Sequence, residues 1–195
     1  MPAALPSVVV LSGPNGAGKS TTATRLLVGG LQVSEYVDAD VFARAMPRTE
    51  ATAITAGRSV LRRLDELATD RRSFGFETTL ASRSFGPRIR RLIGAGYECH
   101  LVFLWLPSAD LAVARVADRV RLGGHSVPEE TIRRRYRSGL RNFFRLYQAL
   151  TTTWRMYDNS EQEPRMVASG AGRETLAAID DALWRRIREE AGHED

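Results

Sequence analysis

The sequence predicts a three-layer α/β fold, with helices on both faces of a mostly parallel central sheet. Two observations support this prediction. Short apolar runs alternate along the chain with segments of helical apolar spacing, which is typical of parallel strands joined by helices. The first apolar run also leads through a glycine-rich segment directly into a helix. Since ligands of such sheets bind at the carboxyl ends of the strands, we expect functional residues there.

Strands are predicted where short runs rich in β-branched or aromatic residues end at turn residues. In chain order they are Ser7–Leu11, Gln32–Val37, Ser73–Glu77, Tyr97–Leu106, Trp154–Tyr157 and Arg165–Val167. The first run is read as a buried parallel strand because it is apolar on both faces. The second is weak, and the fourth is the strongest because it is almost continuously apolar up to Pro107.

Helices are predicted where apolar residues recur every three or four positions between glycine or proline boundaries. In chain order they are Thr21–Val28, Glu50–Ala68, Phe85–Leu92, Ala109–Leu122, Pro128–Leu150 and Arg173–Glu190. Neither a repeat nor a linker-like stretch interrupts the pattern. The interpretation is one domain over residues 1–195.

The composition is that of a globular protein: of the 195 residues, 43% are hydrophobic and 26% are charged. One cysteine, Cys99, excludes an intramolecular disulfide, and with three histidines it argues against a zinc site. Apolar stretches are only a strand long, and the first residues do not resemble a signal peptide, so a cytoplasmic protein without membrane association is expected. The net charge of +5 suggests an anionic partner.

The segment Gly13–Ser20 matches the phosphate-binding pattern G-x-x-x-x-G-K-[ST] at every defined position. Glycines let backbone N–H groups converge on a phosphate, and the helix that follows adds the positive end of its dipole. Lys19, the single lysine among 28 basic residues, is predicted to bridge the β- and γ-phosphates of ATP, and Ser20 to ligate Mg²⁺. The predicted ATP-binding set is Gly13, Pro14, Asn15, Gly16, Ala17, Gly18, Lys19, Ser20, Thr21 and Asn159.

Two kinds of nucleoside triphosphatase are disfavoured. A GTPase reads guanine through an N-K-x-D motif, and this chain has no second lysine to supply it. A motor ATPase normally has an apolar strand that ends in an acid, whereas the strongest strand here ends at Pro107. A compact phosphoryl-transfer enzyme remains the main interpretation.

Acidic and hydroxyl side chains follow the second and third strands. Asp40 is the predicted catalytic carboxylate, which accepts or orients the proton of the attacking hydroxyl, and Asp38 is expected on the opposite side. A helix cap is the alternative role for Asp40. Glu77 and Thr79 are predicted to contact the substrate, although a polar turn would also explain them. Arg83 is predicted to meet an anionic substrate, or to face solvent.

Two arginine-bearing helices joined by Gly123 and Gly124 predict a lid over roughly residues 115–137. Closure of such a lid would place guanidinium groups against the transferred phosphoryl group and expel water. Arg119 and Arg134 are the leading candidates. Asn159, in the turn after a late strand, is predicted to hydrogen-bond adenine, with an Asp-Asn-Ser turn as the alternative. No aromatic stacking platform lies among the basic residues, which argues against nucleic acid as a partner.

Several motifs together resemble the zeta-toxin family of P-loop kinases, in particular its short, single-domain bacterial members. In chain order these motifs are Gly13–Ser20, Val37–Asp40, Phe76–Thr79, Arg119–Pro128, Ile132–Tyr136 and Tyr157–Ser160. The Gly-Gly-His-x-Val-Pro and Tyr-Asp-Asn-Ser segments are more specific than the phosphate loop, which many families share.

The resemblance implies Mg²⁺- and ATP-dependent phosphorylation of a small-molecule hydroxyl, which in the well-known toxins belongs to UDP-N-acetylglucosamine. It places Asp40 in the base position, Lys19 and Ser20 in the phosphate and metal roles, and Glu77 and Thr79 on the substrate side. Arg119 and Arg134 become the phosphate-binding arginines, with Arg121, Arg133 and Arg135 as alternatives. An antitoxin protein is an implied partner.

Two other functions fit the sequence. One is a kinase whose acceptor is a nucleoside or a polynucleotide 5′-hydroxyl, held by the basic helices. The other is a non-catalytic ATP-binding interaction module, which the acids at Asp40 and Glu77 disfavour because simple binding does not require carboxylates beside a triphosphate.

Overall fold

A computed structural model describes residues 5–23, 33, 35–37 and 50–192 of the chain. The strands are β1 (Ser7–Ser12), β2 (Glu35–Val37), β3 (Phe74–Thr78), β4 (Glu98–Trp105), β5 (Thr153–Asp158), β6 (Arg165–Ala171) and β7 (Glu174–Ala178). Helix α1 begins at residue 19 and is described as far as residue 23. The other helices are α2 (Glu50–Thr69), α3 (Phe85–Gly94), α4 (Ala109–Arg121), α5 (Glu129–Asn142) and α6 (Asp181–Glu190).

The seven strands form one sheet in the order β2-β3-β1-β4-β5-β6-β7. The first five strands in this order are parallel, whereas β6 and β7 add antiparallel at one edge. In β4, Leu101 and Phe103 pack on one face of the sheet and Val102 and Leu104 on the other. Both faces are therefore covered, which explains the continuously apolar sequence of this strand.

Each face of the sheet has its own hydrophobic core. Side chains of α2, α3 and α6 pack on one face with the aromatic cluster around Phe143 and Trp154. Side chains of α1, α4 and α5 pack on the other face. This arrangement confirms the predicted three-layer α/β fold. No helix in the described part of the chain is long and apolar enough to cross a membrane.

The predicted helix Arg173–Glu190 is wrong over its first half. Gly172 has a φ of 53°, and the chain turns there so that β7 pairs antiparallel with β6. The helix begins only at Asp181, where the side chain of Asp180 accepts a hydrogen bond from the backbone N–H of Leu183 at 3.0 Å. The apolar residues of this segment have helical spacing, yet the segment forms a strand followed by a helix. Pairing with β6 outweighs the local preference for helix in its first half.

The long helix predicted over Pro128–Leu150 is helical throughout but not uniform. After α5 it continues as a π-helical turn, Phe143–Tyr147, and a 3₁₀ turn, Gln148–Leu150. The π-helical turn places Phe143, Phe144 and Tyr147 in the core. Such turns interrupt regular helices where packing requires a different rotation of the side chains.

Candidate active site

The loop between β1 and α1 has the backbone geometry of a phosphate-binding loop. Gly13 has a φ of 141°, and a side chain there would lie 2.4 Å from the carbonyl oxygen of Leu104 in β4. At Gly16, with a φ of 78°, a side chain would lie 2.7 Å from the carbonyl oxygen of Ala112 in α4. Glycine is therefore required at both positions, by conformation and by the close approach of neighbouring backbone.

The Lys19 ammonium group lies within the curve of this loop. It donates hydrogen bonds to the carbonyl oxygens of Gly13 and Pro14, both at 3.0 Å, and only 9% of the residue is exposed. The loop thus carries a compact positive charge beside the start of a helix, whose dipole adds to it. This combination suits a phosphate group.

Glu77 lies beside the phosphate loop because β3 pairs with β1, where the register aligns Glu77 with Leu11. Its Oε2 accepts hydrogen bonds from the Ser20 hydroxyl and from the Tyr36 hydroxyl, each at 3.1 Å. A serine hydroxyl and a carboxylate are hard oxygen ligands of the kind that Mg²⁺ prefers. The residues present therefore fit a magnesium ion that also binds phosphate oxygens and water.

The described residues contain no group of three or more His, Cys, Asp and Glu side chains that could hold a metal ion by themselves. Such a group is not needed for a nucleotide-bound Mg²⁺, which typically uses one or two protein ligands together with substrate phosphates.

A cavity of about 740 Å³ opens from the phosphate loop towards α2. Among the described residues that line it, five are cationic and one, Glu77, is acidic. The cationic residues are Lys19, Arg58, Arg115, Arg119 and Arg135. Thr21, Thr78 and Thr79 also line it. An excess of positive charge in a concave site favours an anionic ligand.

Three arginines of α4 and α5 reach this cavity with their guanidinium groups already held in place. Arg115 donates to the carbonyl oxygens of Asn159 and Ser160, at 2.7 and 2.6 Å. Arg119 donates to the carbonyl oxygen of His125, at 2.8 Å, in the connection between the two helices. Arg135 lies 3.4 Å from the Asn15 side-chain oxygen. The hydrogen bonds restrict the rotamers of these long side chains.

The structure places Arg134, predicted to bind phosphate, on the exposed surface and not among the residues that line the cavity. The neighbouring Arg135 lines the cavity instead. Tyr136 fixes the orientation of α5 about its axis, because its buried hydroxyl donates to the carbonyl oxygen of Leu106 at 2.8 Å. Burial raises the pKa of this hydroxyl, which therefore remains a donor. Arg133 faces Asp110 on α4, with a 2.6 Å ion pair.

Asn159, predicted to contact adenine, supports the phosphate loop. Its side-chain N–H donates to the carbonyl oxygen of Ala17 at 2.7 Å, and the residue is 6% exposed. It also packs against Gly18, where a side chain would lie 2.9 Å from the Asn159 amide nitrogen. The amide is buried against the loop and does not line the cavity.

The turn that carries Asn159 is held by its neighbours. The carboxylate of Asp158 accepts from the backbone N–H of Ser160 at 2.9 Å and pairs with Arg165 at 3.1 Å. Burial acts to raise the pKa of Asp158, but the hydrogen bonds from Ser160 and Arg165 outweigh it and lower the pKa. Asp158 is therefore ionised near neutral pH and stabilises the turn.

The remaining predicted residues divide into three groups. Glu77 and Thr79 lie at the cavity, as placed above. Arg83 is exposed and is not among the lining residues. Asp38 and Asp40 lie outside the described residues, so the role of Asp40 stays a prediction.

The sequence analysis did not single out Gly57 and Arg58, which line the cavity, or Tyr36, whose hydroxyl donates to Glu77. Tyr36 lies in the weak second strand, one residue before the motif Val37–Asp40. Gly57 and Arg58 lie on α2, whose exposed arginines are not distinguishable by spacing.

The fold is shared with solved structures of low sequence identity. A chain of the AvrRxo1-ORF1:ORF2 complex with ATP superimposes with a TM-score of 0.73 at 17% identity, covering 95% of this chain and 64% of that one. A chain of the PezAT chromosomal toxin–antitoxin system of Streptococcus pneumoniae gives a TM-score of 0.69 at 18% identity, with coverages of 97% and 86%. This chain therefore spans about two thirds of the first structure and most of the second.

Sequence comparison identifies the family. An uncharacterized protein of Haemophilus influenzae is 29% identical over 126 residues, which are 64% of this chain and 88% of that protein. The family model for zeta toxin matches residues 2–164, which contain the phosphate loop, Glu77 and the arginines of α4 and α5. The chain belongs to the zeta toxin family and has its P-loop kinase fold.

Proposed function

We propose that the protein transfers the γ-phosphate of ATP to a hydroxyl group of a small molecule. The observation that carries this proposal is the contact between the Ser20 hydroxyl and the Glu77 carboxylate, 3.1 Å apart, in a cavity with several cationic side chains. Phosphoryl transfer requires donors for the phosphate oxygens, a metal ligand and an acid beside the reacting groups.

The phosphates of ATP bind in the loop between β1 and α1, with Lys19 at the β- and γ-phosphates. Ser20, with Glu77 close by, would hold Mg²⁺, and the ion when bound would neutralise negative charge on the phosphates. Arg119 and Arg135 stabilise the charge on the transferred phosphoryl group, and Arg115 contributes positive charge at the same wall. Arg135 takes the role predicted for Arg134.

In the transfer step, the acceptor hydroxyl oxygen attacks the γ-phosphorus and forms a new P–O bond. The bond between the γ-phosphorus and the oxygen that bridges it to the β-phosphorus breaks, and ADP leaves with that oxygen. The hydroxyl proton passes to a carboxylate, for which Asp40 is the proposed acceptor. Glu77 and Thr79 orient the acceptor.

The first acceptor to test is UDP-N-acetylglucosamine, because the family resemblance points to it. The test is a γ-phosphate transfer assay with radiolabelled ATP across sugar nucleotides, sugars, nucleosides and short oligonucleotides. A labelled small-molecule product supports the proposal, and a labelled oligonucleotide with steep salt dependence would support a polynucleotide kinase instead. Nucleotide binding without any labelled product would leave only an ATP-binding module.

Two variants separate the acids in this assay. Asp40→Asn is expected to lower turnover by about a hundredfold or more while ATP still binds, since it removes the proposed proton acceptor. Glu77→Gln is expected to lower turnover and also to weaken the Mg²⁺ dependence of ATP binding, because Glu77 lies beside Ser20. A fluorescent ATP analogue, titrated with and without Mg²⁺, measures the difference. Normal turnover of Asp40→Asn would remove its assignment.

An antitoxin that blocks the enzyme is a proposed partner. The likeness to a chain of the PezAT system supports the fold of this chain and no more, so co-purification with the product of an adjacent reading frame is the direct test.

A further inference from the structure

One segment beside the cavity has a backbone conformation that its own residues do not favour. Between β3 and α3 the chain bends at residues 79–82, called the Thr79 turn below. Leu80 has a φ of 53°, in the left-handed region that residues with large side chains rarely adopt. Its side chain is fully buried. A backbone conformation of this kind persists only where the surrounding structure holds it.

Two threonines at this turn line the cavity, Thr78 and Thr79. The Oγ1 atom of Thr78 accepts a hydrogen bond from the backbone N–H of Leu80 at 3.1 Å. The Oγ1 atom of Thr79 accepts one from the backbone N–H of Ala81 at 3.4 Å. A hydroxyl that accepts in this way keeps its own hydrogen to donate. Where these hydroxyl groups stand in the cavity therefore depends on the backbone of the turn.

Two polar side chains hold the carbonyl groups of the Thr79 turn. The amide of Asn142, at the end of α5, donates to the carbonyl oxygens of Leu80 and Ala81, at 2.8 and 3.1 Å. The hydroxyl of Tyr147 donates to the carbonyl oxygen of Ser82 at 2.5 Å. Tyr147 is fully buried and belongs to the π-helical turn that follows α5. Such turns are frequent at functional positions, and this one supplies a donor to the backbone beside the cavity.

The same helix also reaches the phosphate loop. Arg135, Gly139 and Asn142 are spaced at i, i+4 and i+7, so they lie on one face of α5. Arg135 lies 3.4 Å from the side-chain oxygen of Asn15 in the phosphate loop. Gly139 lies against the Thr79 turn, where a side chain would be 2.4 Å from the Thr79 carbonyl oxygen. One face of one helix thus contacts both the phosphate loop and the Thr79 turn.

We propose that this face of α5 sets the spacing between the two sides of the cavity, and that Asn142 and Tyr147 are positioning residues that act through Thr79. The inference rests on the proposed function, in which Thr79 orients the acceptor. Misplacement of a reacting group by about 1 Å costs on the order of a hundredfold in rate. Neither Asn142 nor Tyr147 is among the described residues that line the cavity. Loss of either hold should therefore lower kcat while ATP binds as before.

Tyr147→Phe removes one hydroxyl group from the hold on the turn. Tyr97→Phe is the matched control, because the buried Tyr97 hydroxyl also donates to a backbone carbonyl oxygen, that of Arg72 at 3.0 Å, near the amino ends of β3 and β4. Tyr147→Phe should lower kcat by about tenfold without changing the affinity for a fluorescent ATP analogue. Tyr97→Phe should keep the wild-type kcat. Equal kcat values of the two variants would contradict the role of Tyr147.

Asn142→Ala removes the donor of two carbonyl groups and should lower kcat by about ten- to a hundredfold. Asn142→Asp keeps the size of the side chain but replaces the donor with an acceptor, so it should lower kcat at least as much. The affinity for the ATP analogue should equal that of wild type in both variants. A parallel loss of ATP affinity would contradict the inference, because the variants would then disturb the nucleotide side instead of the Thr79 turn.

Hydrogen exchange separates this inference from the proposed function. The amide groups of Leu80 and Ala81 are bonded within the turn, so a peptide spanning residues 77–84 reports by mass spectrometry how firmly the turn is held. Its exchange should be at least tenfold faster in Asn142→Ala and Tyr147→Phe than in wild type and Tyr97→Phe. That result supports the inference even if no phosphate is transferred, an outcome that would overturn the kinase alone. Equal exchange in all four proteins would overturn the inference whatever the transfer assay shows.

Discussion

The two walls of the cavity are built differently. The nucleotide side, formed by the phosphate loop with α4 and α5, is held by short hydrogen bonds from Lys19, Arg115 and Asn159 to backbone carbonyl oxygens. The opposite wall, formed by α2 and the start of α3, is largely apolar, and its one arginine, Arg58, has no partner among the described residues.

This difference fits the roles proposed for the two walls. Triphosphate binding requires donors that are oriented before the ligand arrives, since reorganisation during the reaction would raise the barrier. Small molecules are recognised mostly by apolar surface and a few polar groups. Substitutions on the nucleotide side are therefore expected to affect transfer to every acceptor equally, and those on the opposite wall to change which acceptor is used.

The largest effect is expected for Lys19→Ala, which removes the compact charge at the centre of the phosphate loop. Transfer should fall by on the order of a thousandfold with every acceptor. The measurement is single-turnover transfer from radiolabelled ATP, with thermal unfolding as a check on the fold. Lys19→Arg is the matched control: a planar guanidinium keeps the charge but should not restore activity. Retention of more than a tenth of the activity by Lys19→Ala would contradict the role of the loop.

A smaller effect is expected for Arg135→Ala, compared with Arg134→Ala. Both remove one arginine from adjacent positions of α5, but only Arg135 lines the cavity. Arg135→Ala should lower kcat by about ten- to a hundredfold. Arg134→Ala should stay within about twofold of wild type, as is usual for exposed positions. If the two variants lose activity equally, the orientation of α5 described above is not that of the working enzyme.

The smallest effect on transfer is expected for Asn159→Ala. Loss of the hydrogen bond to Ala17 leaves a buried carbonyl group unpaired, which should lower the free energy of unfolding by about 1–3 kcal/mol and weaken ATP binding moderately. Denaturant unfolding and ATP titration measure the two effects.

Asn142→Ala is the control for this variant, because Asn142 donates to the carbonyl oxygens of Leu80 and Ala81, away from the loop. It should cost similar stability and leave ATP affinity unchanged. Unchanged stability of Asn159→Ala together with altered discrimination between ATP and GTP would restore the adenine contact predicted from sequence.

Much of the nucleotide side was predictable because its signals are local. The phosphate loop is a contiguous segment that matches a known motif, and Glu77 lies near the carboxyl end of β3, where ligands of parallel sheets bind. Part of β6 was predicted, but β7 and its antiparallel pairing with β6 were not, because the apolar spacing over Arg173–Glu190 also fits a helix and only the pairing with β6 decides between the two. The fold was thus largely read from pattern, and its antiparallel edge was not.

The sequence alone determined that this chain has a phosphate-binding loop on a layered, mostly parallel sheet, because both features depend on residues close together in the chain. Only the tertiary structure decided which arginines face the cavity and what Asn159 contacts. The orientation of α5 about its axis depends on how Ile132 and Tyr136 pack against the sheet. Gly57 and Arg58 line the cavity because the fold places α2 beside the phosphate loop. Such long-range packing leaves no periodic signal among the many arginines of these helices.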